Sequence, residues 1–197
     1  LGEPDQARTI YDSFLERFAD SDHPTLAQNM VITYSNYALI ELIFGDIHKA
    51  KELIDQSFVG TKALNIERQI PFLMTTMGVI YARCGMIHRG AEFAIEGLKP
   101  TYWRGSSREG QISIEWASGV LTTAGLRREA WNFMNWVKFW RKRTSHPRSV
   151  AEERYAQSLD LDEFRGSVPL FNETEEYRTI MGLLIKALRR VQSDTLS

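Results

Sequence analysis

The chain has 197 residues, 43% of them apolar and 25% charged, with a net charge of −1. That is enough for a sizeable core and excludes a global electrostatic pull towards nucleic acid or an anionic membrane. Cys84 is the only cysteine, so neither an intramolecular disulfide nor a thiolate metal cluster can form within one chain. No apolar run approaches the roughly 18 residues that span a bilayer and no signal-peptide pattern opens the sequence, so a reducing, cytoplasmic location is expected.

Residues 1–19 read as the second helix of a hairpin whose first helix is missing. Pro4 suits a first turn, and Ala7, Ile10, Tyr11, Phe14, Leu15 and Phe18 recur at helical spacing. The chain is therefore expected to be a piece of a longer protein. After a break at 21–24, a long helix is predicted from about Thr25 to Phe44, with Gly45 ending it and Asp46 capping a second helix to about Phe58. Another helix should begin after Asn65, be kinked by Pro71 and close at Gly85. The next carries Gly90, Ala91, Ala94 and Gly97, which implies a closely approaching neighbour, and Pro100 is expected to stop it before a loop at 101–107.

A helix over 108–124 and an aromatic-rich one over 126–143 follow. The latter holds Trp131, Phe133, Trp136, Phe139 and Trp140. The TSHPRS stretch at 144–149 is a break, 151–161 a short helix, and Gly166 with Pro169 an irregular connection. Residues 173–191 form a terminal amphipathic helix with Tyr177, Ile180, Met181, Leu184, Ile185 and Leu188 inward, expected to cap the stack.

Four short stretches resemble one another: GEPDQA, GDIHKA, GMIHRG and GLRREA, led by Gly2, Gly45, Gly85 and Gly125 at spacings of 43, 40 and 40. Repetition at such a period marks a stacked-repeat architecture, with a turn at each glycine and a small residue five positions on. With Tyr34, Tyr37, Ala38, Gly45 and Ala50 in one unit and Gly78, Tyr81 and Gly85 in the next, each unit resembles a tetratricopeptide repeat, lengthened as in large bacterial regulators and kinesin light chains. The order of GEPDQA, His23-Pro24, Leu26-Ala27, GDIHKA and the glycines from Gly78 to Gly105 is also similar to the C-terminal repeat region of bacterial STAND-ATPase signalling proteins. Those proteins carry a helical DNA-binding or class III adenylate/guanylate cyclase output. The resemblance covers roughly residues 1–130, through packing motifs that carry no catalytic residue across.

The expected architecture is all-α: a right-handed superhelix of tetratricopeptide-like hairpins with about 40-residue repeats. Residues 1–143 hold the trailing helix and three hairpins, and 144–197 a connection and capping helices of the same domain. No phosphate loop and no nucleophile triad can be drawn, and the four histidines lack ligand spacing. Neither an enzymatic activity nor a cofactor or metal is therefore expected. GSSREG at 105–110 reads as a helix start capped by Ser106 or Ser107. Arg127, Arg128, Lys138, Arg141, Lys142 and Arg143 among five aromatics read as the solvated face of a packed helix, or as a partner surface, in preference to a nucleic-acid contact.

In the resembled family the first helix of each pair lines the concave face. That register nominates Ser35, Asn36 and Leu39, then Thr75, Thr76 and Arg83, then Glu115 and Trp116 as candidate binding residues. The expected partner is a protein or peptide, other domains of the same chain included; no membrane is implied, and a homo-oligomer stays open. Two functions compete: the sensing or interaction arm of a larger bacterial regulator, and a free-standing adaptor or self-association module. For Trp116 a place between adjacent hairpins is as good a reading as ligand contact.

Overall fold

Apolar residues at intervals of three and four confer a packing face on each predicted helix. The computed structural model, which describes residues 3–19, 23–104, 108–171 and 174–193, forms a helix at every one of those places and no strand among the described residues. In chain order they are α1 Pro4–Phe18, α2 Pro24–Phe44, α3 Ile47–Ala63, α4 Ile70–Arg83, α5 Ile87–Arg104, α6 Arg108–Thr123, α7 Arg127–Arg143, α8 Val150–Ser158 and α9 Tyr177–Ser193. The pairs α2–α3, α4–α5 and α6–α7 are hairpins joined by two or three residues, and α1 packs on α2. The middle hairpin knits the whole together, because α4 lies on both α3 and α6 while α5 lies on α6 and α9.

Two hairpin turns work as their glycines suggest. Gly85 and Gly125 have φ of 84° and 80°, and the amides of Met86 and Leu126 donate back to Tyr81 O at 3.0 Å and Leu121 O at 2.9 Å. These bonds satisfy carbonyls that a helix end would leave unpaired. Gly45 acts differently. Its φ is −142°, and a Cβ there would collide with the Glu41 carboxylate. That carboxylate is folded back to accept from the Asp46 amide at 3.1 Å and from Arg8 Nε at 2.9 Å, tying α1 to α2. Asp46 then caps α3, accepting from the amides of His48 at 2.7 Å and Lys49 at 3.4 Å. Gly2, the first of the four leading glycines, lies outside the described residues.

The close approach expected around Gly90 and Gly97 is the α4–α5 contact. A Cβ at Gly90 would stand 2.5 Å from Gly78 O, and one at Gly97 2.6 Å from Pro71 O. Backbone meets backbone there, and α4 is buried at Leu73 and at every residue from Thr75 to Ala82.

Several boundaries differ from expectation, each for a local reason. Helix α3 runs on to Ala63, where Asn65 at φ 54° and the Ile66 amide bonding to Thr61 O end it. Pro71 does not kink α4, because it sits in the first turn, where no backbone N–H is needed. Pro100 does not stop α5: the helix passes through it to Arg104 with Pro100 on the exposed side, so residues 101–104 are helical. The rest of that predicted loop, including Ser106 and Ser107, lies outside the described residues.

Helix α9 begins at Tyr177 and buries Tyr177, Ile180, Met181, Leu184 and Leu188, with Ile185 half-buried. It packs chiefly along α5 and across α6, and touches α7 more lightly. So it braces the middle hairpin as well as the last one. Gly110 on α6 leaves room for the Tyr177 phenol, which donates to Thr101 O at 3.5 Å, and Trp136 Nε1 donates to Glu175 O at 3.3 Å.

Candidate functional site

Three of the residues nominated by repeat register come together: Arg83 at the end of α4, and Glu115 with Trp116 on α6. Arg83 and Trp116 meet the chain's own α8, and Glu115 meets Arg141 of α7 and Arg148, which leads into α8. This helix is started by a capping box in which Ser149 Oγ accepts from the Glu152 amide at 3.2 Å and the Glu152 carboxylate accepts from the Ser149 amide at 2.8 Å. With its first turn fixed, Glu152, Tyr155, Ser158 and Leu159 fall along one side at helical spacing.

Tyr155 is the centre of the contact. It is 1% exposed, its ring centroid is 4.0 Å from that of Trp116 in an edge-on arrangement, and its hydroxyl donates to Trp116 O at 3.3 Å. It fits only because residue 119 is glycine, since a Cβ there would run into the phenol oxygen. The Arg83 guanidinium lies 5.6 Å from the same ring and donates to Ser158 Oγ at 3.0 Å and to Leu42 O at 3.1 Å. Arg154 lies over the Phe44 ring of α2 at 4.9 Å. Thus α8 touches α2, α4 and α6, the first helix of every hairpin.

Beside the aromatic pair lies a buried ion cluster. Glu115, 2% exposed, accepts from Arg141 Nε at 3.1 Å and Nη2 at 2.7 Å, and from Arg148 Nε at 2.7 Å. Arg141 Nη1 also reaches Glu152 at 3.4 Å, and Arg148 Nη1 reaches Glu153 at 3.3 Å. Burial alone would lower the Arg148 pKa, but the adjacent Glu115 carboxylate outweighs it and holds the guanidinium above its ordinary range. Burial pushes the Tyr155 phenol well above the usual tyrosine range. Both carboxylate oxygens of Glu115 are engaged in ion pairs, so the cluster reads as a structural clasp, the arrangement in which removing one charge costs most.

The other nominated residues do not join this site. Thr75 and Thr76 are fully buried and donate back to Phe72 O at 2.9 and 3.0 Å. Thr75 faces Gly97 of α5. Ser35 is 7% exposed; Asn36 is exposed and Leu39 half-buried on α2. Nor are Glu115 and Trp116 open to solvent, each being covered by the 148–159 segment. The register argument turns Thr75 and Thr76 towards an open groove, whereas that stretch of α4 is packed among α3, α5 and α6 and only its Arg83 end reaches the face that α8 covers.

Contributors that were not nominated include Phe44, Gly119, Arg148, Glu152, Glu153, Arg154, Tyr155 and Ser158, and Arg141, read from the sequence as part of a solvated or partner face, is instead buried against Glu115. Two carried a signal, namely the Ser149-x-x-Glu152 capping pattern and a glycine in mid-helix at 119. On α7, Arg127 pairs with Glu163 at 2.5 Å, Arg128 lies over Trp131 and Phe164, and Arg143 lies over Trp140. All four histidines are exposed. Among the described residues no group of three or more His, Cys, Asp or Glu could hold a metal, and no helix is long and apolar enough to cross a membrane. No protein-family model, curated protein or solved structure matches the chain.

Proposed function

We propose that the chain is a non-catalytic recognition scaffold, the tetratricopeptide-like arm of a larger bacterial signalling or transcription regulator, with its hairpins wound into a right-handed superhelix. The observation that supports this reading is the face shared by α2, α4 and α6. It already holds a helix, through an aromatic socket at Trp116 and Gly119 and a set of arginines. Stacked hairpins recognise extended or helical segments on such a face, and an aromatic ring with arginine beside it is the composition of binding hot spots.

The test is a selection of helical peptides from a displayed library against the full chain, in its unmodified form and with Tyr155→Ala. Sequenced binders are expected to lose at least tenfold in affinity when Arg83→Ala or Phe44→Ala is introduced. A selection that returns no binder, or only binders indifferent to both substitutions, would overturn the reading.

A further inference from the structure

The geometry points to α8 as the resident occupant of this face. We propose that the partner it stands in for is a short helix of another protein, one that presents a carboxylate, an aromatic ring and an aliphatic side chain in the spacing of Glu152, Tyr155 and Leu159. This rests on reading the α2–α4–α6 face as a recognition surface and adds the chemistry of the partner and the means of its control.

The recognition pattern is written in what α8 itself engages. The carboxylate at position 152 meets Arg141 at 3.4 Å and Arg108 at 3.5 Å. Three residues on, the aromatic ring enters the socket left by Gly119 against Trp116. Another four residues on, Leu159 is 3% exposed. Acid at i, ring at i+3 and aliphatic at i+7 lie along one helical stripe, which is how an amphipathic helix is read in a groove. The charge order matters too. Without Glu152 the face keeps Arg83, Arg108 and Arg141 with only Glu115 among them, so an incoming carboxylate is favoured over an incoming base.

Other observations make α8 replaceable. Helix α8 has only nine residues, a length at which a helix has little stability of its own. The chain is non-helical on both sides of it, and the two flanks turn through positive φ at Ser145 (54°) and Asp160 (49°). Its polar hold, the Glu152 ion pairs and the Arg83–Ser158 bond, is one that another helix can supply, and its apolar hold rests on the Tyr155 ring, with Leu159 just past its end. An open cleft of about 560 Å³, lined by Trp131, Met134 and Asn135 on one side and Ala156 and Leu161 on the other, runs between part of this segment and α7, which meet through the Arg141–Glu152 pair. Finally, α8 leaves a debt: the Trp116 indole N–H beneath it is buried with no acceptor among the described residues. A competing helix that brings an oxygen to that N–H gains what α8 forgoes.

The probe is a labelled synthetic peptide of residues 147–161, added to the full chain. The chain carrying Arg148→Ala with Tyr155→Ala, which unfastens α8, is expected to bind it at least tenfold more tightly than the unmodified chain. Replacing the tyrosine of the peptide by alanine, or introducing Gly119→Ala in the receptor, should abolish that binding. Equal affinity for both chains, or no binding by a double variant that circular dichroism shows to be folded, overturns the proposal. Should the double variant not fold, amide exchange on the unmodified chain decides. Amides of 150–158 exchanging at least tenfold faster than those of α6 support an exchangeable occupant; equal protection makes α8 a permanent part of the core and overturns it. Library binders that depend on Arg83 and Phe44, together with a peptide 147–161 that fails, would retain the recognition surface and discard this partner.

Discussion

At Gly97 a Cβ would stand 2.6 Å from Pro71 O and 2.7 Å from Thr75 Cγ2, whereas at Gly182 on α9 nothing lies within 4 Å. The same substitution should therefore have opposite signs at the two positions. Gly97→Ala must push α4 away from α5 against backbone atoms, and is expected to destabilise by about 1–3 kcal/mol. Gly182→Ala removes only the entropic cost of glycine in a helix and should stabilise by about 0.5–1 kcal/mol. Urea titration of both variants measures the pair, and a stabilised Gly97→Ala would refute the close-packing account. Glu115 is a second residue-scale determinant. It is buried between Arg141 and Arg148, so Arg141→Ala strands part of that charge and should cost about 3–5 kcal/mol. Arg141→Lys should recover only a fraction, because a lysine cannot reproduce the two-pronged contact.

Among the helices, α5 departs most from what local rules favour, and α8 follows them most plainly. Helix α5 runs through Pro100, which offers no N–H to the carbonyl of the previous turn and costs up to about 3 kcal/mol in a helix interior. Pro100 is exposed, so Pro100→Ala gives up little packing while restoring the missing donor. The expected outcome is a gain of about 1–3 kcal/mol, less the greater freedom of the unfolded chain. A fall in melting temperature would mean instead that the proline sets a bend on which α5–α9 packing depends. Helix α8, by contrast, owes its start to the capping box. Ser149→Ala should cost about 1 kcal/mol, seen first as faster amide exchange over 150–158 and only secondarily as a lower melting temperature.

At the scale of the whole molecule, α9 ties α5, α6 and α7 together, and Tyr177 lies in that junction. Burial pushes the Tyr177 pKa up to about 12, against about 10 in an unfolded chain. The folded state thus favours the protonated phenol. The associated stability is fully present below about pH 10 and is lost as pH rises towards 12, an amount of about 2–3 kcal/mol. Burial raises Tyr11, Tyr37, Tyr81 and Tyr155 in the same direction, so alkaline destabilisation should be general. Tyr177→Phe isolates one contribution: denaturation at pH 8 and pH 11 should show a smaller loss of stability for the variant than for the unmodified chain. An identical loss would remove Tyr177 from the account.

What the sequence determined by itself is what neighbours along the chain decide. The intervals of three and four located most of the helices, Asp46 stood ready as a cap, Gly85 and Gly125 supplied turns, and Gly90 with Gly97 foretold a close backbone approach. Each depends on atoms within about a turn of itself or on the plain absence of a Cβ. Tertiary structure alone decided what lies against what. Neither proline acts as expected: Pro71 starts α4 and does not kink it, and α5 runs through Pro100 to Arg104. Thr75 and Thr76 are sealed because α4 is enclosed by three other helices. Trp116 is covered by Tyr155, 39 residues away in the chain. A helical period says that a face is apolar, not which of several apolar faces will meet it, because dispersion and burial are non-directional and reward any good fit. The seating of α8 on α2, α4 and α6 therefore rests on a choice among long-range contacts, settled by the space at Gly119 and by the guanidiniums gathered around Glu115 and Glu152.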